Sequence, residues 1–168
     1  MSQTRFINPD ALSKPPGYSH VVEATGPGRI VYIAGQLGVD REGKVVGDFR
    51  QQAIQTFENL KAALAAVGAD FRQVVKLNNY LVDVGDLPTF REVRDSYLPT
   101  ANRPASTTIA ISGLARPGAR LEIEAVAMLP AAERSKSASK AVSRSASKRA
   151  GAGRKRRTAT RAARSKRK

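Results

Sequence analysis

The basic residues of this 168-residue chain are concentrated at its C-terminal end, and this limits where a folded core can form. Residues 131–168 hold 15 of the 29 Lys and Arg residues against one acid, Glu133, which gives a formal charge of +14. The segment has no aromatic residue, and its one sizeable apolar side chain is Val142. So little apolar surface cannot offset the ordering cost of about 1–2 kcal/mol per residue. We therefore expect a disordered tail.

The first 130 residues are nearly neutral, with 14 basic and 13 acidic residues, and they are long enough to bury a core. We predict one folded domain at 1–130, followed by the tail at 131–168.

The absence of cysteine excludes a disulfide scaffold, a thiol nucleophile and cysteine-ligated metals. A single histidine, His20, cannot form a histidine metal site. No apolar run could span a bilayer, and residues 1–10 lack a signal-peptide core, so we expect a cytoplasmic protein.

Apolar periodicity and turn residues predict the elements of the domain. The predicted strands are 19–24, 29–36, 74–82, 106–111 and 120–129, and the predicted helices are 49–67 and 87–98. A turn at 25–28 joins the first two strands as a hairpin, and Asp48 and Asp86 stand where helix-capping side chains are preferred. The order ββαβαββ predicts an α+β fold, a single sheet with two helices on one face. Self-association would cover the other face.

Three places in the domain are candidates for ligand contact. Glu122 and Glu124 share one face of the last strand, and because buried neighbouring carboxylates repel, at least one should reach water, a cation or a cleft. Gly35 lacks a Cβ, which lets a ligand approach the backbone, although a bulge or tight packing would also explain it. Ser106, Thr107 and Thr108 open a strand with three hydroxyls, which suit either a ligand or a solvated face.

Several short blocks occur together along the chain in one order. They are Ile33-Ala34-Gly35-Gln36, the helix containing Gln52 and Asn59-Leu60, Val75-Lys76 with Leu81-Val82-Asp83, Arg103-Pro104-Ala105, and the alternating run 121–127. In these blocks, residues 15–130 resemble the Rid family (YjgF, reactive intermediate deaminase, formerly endoribonuclease L-PSP). The resemblance implies a chorismate-mutase-like fold and a homotrimer with clefts between subunits. It also implies hydrolysis of reactive enamines and imines without a cofactor or metal.

The resemblance assigns site residues one position at a time. Glu122 matches the glutamate that helps to place the attacking water, which is a positioning and general acid–base role. Tyr18 matches a residue near the site entrance. Gly35 matches a position whose backbone N–H faces the substrate.

Three other positions depart from the deaminating branch of the family. Ser106 stands where that branch has an arginine that clamps the substrate carboxylate, and one neutral hydroxyl replaces a charged, bidentate partner. Thr108 stands where a cysteine is frequent, and Arg91 stands where that branch has an asparagine. The chain therefore resembles a branch without the usual clamp. Arg91 or Arg103 could supply a displaced cation.

Two functional hypotheses follow. The first is an enzyme that hydrolyses an imine or enamine in a cleft between subunits. The alternative is a non-catalytic trimer that binds a small metabolite and is tethered to nucleic acid by its tail.

The tail would bind phosphate backbones without sequence preference, because it has many cations and no aromatic residue for base stacking. We expect the densest basic positions of the tail to contact nucleic acid and to favour association with the nucleoid rather than with a membrane. These positions are Arg154, Lys155, Arg156, Arg157, Lys166, Arg167 and Lys168.

Overall fold

A computed structural model describes residues 3–131 of the chain. Its strands are β1 (Gln3–Ile7), β2 (Val21–Thr25), β3 (Gly28–Leu37), β4 (Val74–Leu81), β5 (Ala105–Ala110) and β6 (Leu121–Pro130). Its helices are α1 (Phe49–Ala65) and α2 (Leu87–Tyr97), with single 3₁₀ turns at Phe71–Gln73 and Val84–Asp86. Apart from its first residue, the predicted tail lies outside the described residues, as do its candidate nucleic-acid contacts, Arg154, Lys155, Arg156, Arg157, Lys166, Arg167 and Lys168.

A four-stranded mixed sheet forms the centre of the domain, and both helices pack on one of its faces. The strand order is β3-β6-β4-β5, in which β4 and β5 are parallel and the other neighbours are antiparallel. Phe57 and Leu60 of α1, Phe90 of α2 and Ile123 of β6 are fully buried between these layers. The predicted α+β fold with two helices on a sheet is confirmed.

The strand β6 alternates as its sequence predicts. Leu121, Ile123, Ala125 and Ala127 are buried beneath the helices, whereas the residues between them are half-buried on the opposite face. We call that opposite side the open face of the sheet. On it Ile30 is 59% exposed and Tyr32 is 78% exposed, so a single chain leaves large apolar side chains in contact with water.

The predicted hairpin between the first two strands is wrong. The strand β2 pairs with β1, from Gln3 opposite Thr25 to Ile7 opposite Val21, and the two form a separate two-stranded sheet. At the connection to β3, Gly26 has a φ of 86° and Pro27 has no backbone N–H, so the chain turns without the ladder bonds of a tight hairpin. The backbone groups of β2 are satisfied by β1 instead.

The two helices begin differently from each other. At α1, the Asp48 carboxylate accepts a hydrogen bond from the Gln51 backbone N–H at 2.9 Å, and the Gln51 side chain accepts one from the Asp48 N–H, which confirms the predicted cap. At α2, the prediction for Asp86 is wrong, because its side chain makes no capping bond. It accepts a hydrogen bond from Arg120 at 2.8 Å instead, and Asp83 caps the preceding 3₁₀ turn.

Candidate functional site

A pocket of about 420 Å³ lies between the strand β5 and the helix α2. We call it the β5–α2 pocket. Its lining residues are Pro16, Tyr18, Leu81, Val84, Leu87, Arg91, Arg94 and residues 106–110. The pocket forms there because β5 is an edge strand, and within residues 3–131 no further strand covers its outer side. Four predicted site residues, Tyr18, Arg91, Ser106 and Thr108, lie together in this pocket.

A buried asparagine holds the hydroxyl groups of β5. Asn79 is 1% exposed, and its side-chain nitrogen Nδ2 lies 2.9 Å from Ser106 Oγ, 2.9 Å from the Thr107 carbonyl oxygen and 3.1 Å from Thr108 Oγ1. The parallel register places Asn79 beside Thr108, which explains these contacts. Sequence reasoning missed Asn79, although its alternation with Leu77 and Leu81 marks it as a residue that faces the helices.

An ion-pair cluster borders the pocket. Arg94 is 5% exposed, lies over the Phe90 ring and donates a hydrogen bond to the Asp95 carboxylate at 2.8 Å. Arg103 also donates to Asp95 and to the Gly17 carbonyl oxygen. Burial alone would raise the pKa of Asp95, but the hydrogen bonds from Arg103 and Arg94 outweigh it and hold the pKa below its usual value. Arg103 is thus engaged with Asp95 and is not among the residues that line the β5–α2 pocket.

Gly35 and Glu122 lie against each other at a bulge. The register of β3 with β6 shifts between Ile33 and Gln36, and a Cβ built on Gly35 would come within 1.8 Å of Glu122 Oε1. Gly35 therefore lies in the bulge and also packs tightly against the Glu122 carboxyl group. A side chain at residue 35 would displace the Glu122 carboxyl group, which occupies that space.

The two carboxylates of β6 have different surroundings on the open face. Glu124 accepts hydrogen bonds from the Tyr80 hydroxyl at 3.0 Å and from Asn78 at 3.4 Å, and the bond to Glu124 raises the pKa of Tyr80. Within the described part of the chain, no side chain donates a hydrogen bond to Glu122. Glu122 is therefore the carboxylate available to a ligand.

In a single chain, the predicted site residues form two groups on opposite faces of the sheet. Ser106 and Thr108 contact Asn79, which faces the helices, whereas Glu122 stands opposite Tyr80, which faces the other way. One group consists of Tyr18, Arg91, Ser106 and Thr108. The other consists of Gly35 and Glu122, which do not line the β5–α2 pocket.

Residues 3–131 contain no group of three or more His, Asp or Glu side chains that could hold a metal ion. Among the same residues, no helix combines the length and apolar character needed to cross a membrane.

Comparisons with known proteins identify the family. A family model described as endoribonuclease L-PSP matches residues 9–129. The chain is similar to the Myxococcus xanthus protein DfrA, with 38% identity over 74% of this chain and 95% of the relative. It is also similar to a 2-iminobutanoate/2-iminopropanoate deaminase from Dermatophagoides farinae, with 33% identity over 77% of this chain and 99% of the relative.

A solved structure shares the fold. The crystal structure of YyfB from Yersinia pestis, described as a conserved Rid family protein, superposes with a TM-score of 0.68 at 35% identity. The match covers 75% of this chain and 98% of that structure. From the sequence match and the shared fold together, we conclude that the chain belongs to the Rid family.

Proposed function

We propose that the protein hydrolyses reactive imines or enamines at a site that neighbouring copies of the chain complete. The observation that carries this proposal is the position of Glu122. Its carboxylate is half-buried on the open face of the sheet, lies against the Gly35 backbone, and has no hydrogen-bond donor among residues 3–131. The relative named 2-iminobutanoate/2-iminopropanoate deaminase supports an imine as the substrate class.

The proposed reaction needs water as its only co-reactant. The Glu122 carboxylate accepts a proton from a water molecule as the water oxygen bonds to the imine carbon. The nitrogen takes up this proton, which gives a carbinolamine. A second proton then passes from the carbinolamine hydroxyl group to the nitrogen, the carbon–nitrogen bond breaks, and ammonia leaves as the carbonyl group forms. Gly35 allows the Glu122 carboxyl group to lie against the backbone, because no Cβ occupies that space.

The division of the site residues supports self-association, and the resemblance to the Rid family makes a homotrimer the assembly that we propose. One chain places Glu122 on the open face and places Ser106 and Thr108 on the helix side, so both groups meet only where two copies adjoin. Ile30 and Tyr32 lie on that same open face and are largely exposed in one chain. A second copy that covers them would bury apolar surface and complete the cleft.

The test of this function is ammonia release from an imine that an amino-acid oxidase generates in situ, measured above the uncatalysed rate. We expect Glu122→Gln to lower the rate by about 10²-fold or more, because the amide cannot accept the proton. Glu124→Gln is the matched control, since it lies on the same strand and face, and its rate should stay near that of the wild type. Equal rates for Glu122→Gln and the wild type would refute the assignment.

A second candidate function rests on the charge of the tail. We propose that the 15 basic residues of 131–168 bind nucleic acid through its phosphates and tether a cytoplasmic protein to the nucleoid. In this alternative, the trimer would bind a small metabolite without turnover. Because the family match ends at residue 129 and β6 ends at Pro130, deletion of 131–168 leaves the family domain whole.

The tail proposal predicts a steep dependence on salt. In a gel-shift assay with duplex DNA, affinity should fall by at least about 10³-fold between 50 and 200 mM salt. Deletion of 131–168 should abolish the shift. The combined substitutions Arg154→Ser, Lys155→Ser, Arg156→Ser and Arg157→Ser should weaken it. Unchanged binding by the deletion variant would exclude the tail as the nucleic-acid contact.

A further inference from the structure

A strap of residues 8–20 joins β1 to β2 and carries the site residue Tyr18. Its own hydrogen bonds close it on itself. His20 Nε2 donates to the Ser13 carbonyl oxygen at 2.7 Å, and the His20 backbone N–H donates to the Asn8 side chain at 2.9 Å. These bonds bring the two ends of the strap together, but they do not attach its middle to the rest of the domain.

Two arginines attach the middle of the strap. Arg94 of α2 donates a hydrogen bond to the Pro16 carbonyl oxygen at 3.4 Å. Arg103 donates one to the Gly17 carbonyl oxygen, also at 3.4 Å. Both guanidinium groups donate in addition to the carboxylate of Asp95. Two cations therefore share one anion, and the strap carbonyls accept N–H groups that Asp95 alone would leave without an acceptor.

Burial makes these contacts costly to lose. Arg94 is 5% exposed, and the side chain of Arg103 is 15% exposed. A buried guanidinium N–H group without an acceptor destabilises the conformation that contains it. The conformation with the strap in place is therefore favoured as long as both arginines are present.

Gly17 fits between the two guanidinium groups because it has no side chain. Its φ is 114°, a backbone conformation that favours glycine. A Cβ built on Gly17 would overlap the Arg94 guanidinium group and would lie 3.0 Å from Arg103 Nη1. The strap and the arginines are thus matched in shape at this residue.

Tyr18 separates two pockets. It lines the β5–α2 pocket, and together with other strap residues it lines a second pocket of about 510 Å³. No other residue belongs to the lining of both. Its two neighbours, Gly17 and Ser19, are each bonded to the rest of the domain, and the Ser19 backbone N–H donates to the Pro104 carbonyl oxygen at 3.1 Å. A strap held on both sides of Tyr18 keeps the two pockets apart.

We propose that Arg94, Asp95 and Arg103 form a strap anchor that fixes Tyr18 in place and thereby limits the size of the substrate group that the β5–α2 pocket accepts. The three are positioning residues, because they act through Tyr18. The size limit rests on the proposed hydrolysis, whereas the attachment of the strap does not. If the strap moved away, the pocket of about 420 Å³ would open into the second pocket, and bulkier imines would fit.

Hydrogen exchange of the full chain tests the strap anchor without turnover. The reporter is the Ser19 backbone amide, and the internal reference is the Val46 amide, which donates to the Gly38 carbonyl oxygen at 3.0 Å in another loop. Arg103→Met removes one guanidinium group, so exchange at Ser19 should become at least about tenfold faster while Val46 is unchanged. Gly17→Ala displaces the strap from the other side and should have the same effect, which keeps the test decisive if Arg103→Met does not fold.

The ratio of two substrates tests the size limit. An amino-acid oxidase makes a small imine from alanine and a bulky one from phenylalanine. Arg103→Met should raise the kcat/KM for the bulky imine relative to the small one by at least about tenfold. This ratio does not depend on the fraction of folded protein, so a merely structural loss would not change it. Arg50→Met is the matched control, because it breaks the exposed pair of Arg50 with Glu92 of α2 and leaves the strap untouched, and both readouts should equal those of the wild type.

The outcomes separate this inference from the proposed hydrolysis. Equal exchange at Ser19 in the wild type, Arg103→Met and Gly17→Ala would overturn the strap anchor. Faster exchange with an unchanged substrate ratio would overturn the size limit and retain the hydrolysis. A wild-type protein that releases no ammonia from either imine would refute the hydrolysis and with it the size limit, whereas faster exchange at Ser19 in the variants would still support the strap anchor.

Discussion

Glu122 keeps its position because residue 35 has no side chain. A methyl group at residue 35 would overlap the Glu122 carboxyl group, with 1.8 Å between the added Cβ and Oε1. The two atoms cannot coexist at that distance, so either the carboxylate or the backbone of the bulge must move. The chemistry assigned to Glu122 therefore depends on a residue that takes no chemical part in it.

We predict that Gly35→Ala lowers imine hydrolysis by about 10²-fold, because displacement of a reacting group by about 1 Å has an effect of this size. Ammonia release measures it, and the far-ultraviolet circular dichroism spectrum should stay unchanged. Gly113→Ala is the control, since no atom lies within 4 Å of its added Cβ. A fully active Gly35→Ala protein would contradict the role given to this contact.

The pKa of Asp95 predicts a dependence of stability on pH. Its folded-state value lies below the ordinary 3.8, so the ionised group stabilises the native state above that pH. This stabilisation is lost as the pH falls from about 4 through the folded-state pKa. Chemical denaturation should show that the free energy of unfolding of the wild type exceeds that of Asp95→Asn at pH 6 and that this difference shrinks as the pH falls below about 4. A constant difference over this range would contradict the ion pair.

Four of the twelve residues that line the β5–α2 pocket were predicted as site residues from the sequence, but the buried residue that contacts their hydroxyl groups was not. Tyr18, Arg91, Ser106 and Thr108 were predicted from the family resemblance. Asn79 belongs to no motif, and although alternation places it on the helix side, its partners depend on which strand lies beside β4. That neighbour is a parallel strand distant along the chain, so no local pattern specifies it.

At the scale of elements, the start of α1 depends on two reciprocal hydrogen bonds. We predict that Asp48→Ala lowers the free energy of unfolding by about 1 kcal/mol, because it leaves the Gln51 backbone N–H without its acceptor. Asp48→Asn, which keeps a side-chain oxygen, should lose much less. Urea denaturation of both variants measures the difference, and equal losses would show that the cap is not the source of the effect.

Elements with a clear local sequence pattern were predicted correctly, but the pairing of the strand β2 was not. The spacing of Phe57 and Leu60 and the cap at Asp48 are local, so α1 was recognisable from sequence. The segment Gln3–Ile7 has only two large apolar residues at its end, which is too weak to mark it as a strand. Without it, β3 was the nearest predicted strand along the chain to β2, and the hairpin was predicted in error.

At the scale of the whole molecule, the proposed trimer relies on the open face of the sheet. We predict that Tyr32→Lys shifts the protein from the proposed trimer to a monomer in sedimentation velocity, because Tyr32 is 78% exposed in one chain and the charge would oppose burial. Ile54→Lys is the control, since Ile54 is 42% exposed on α1, away from the sheet. Trimers of Tyr32→Lys as stable as those of the wild type would exclude this face as the interface.

The direction of β6 has a consequence for how the protein can be engineered. The strand begins at Leu121, which neighbours the pocket residue Leu81, and its ten residues run roughly 33 Å to Pro130, which pairs with Gly28. Any sequence attached after Pro130 starts a full strand length from the pocket wall. A reporter fusion or an immobilisation tag joined after Pro130 therefore begins away from the β5–α2 pocket of the same chain.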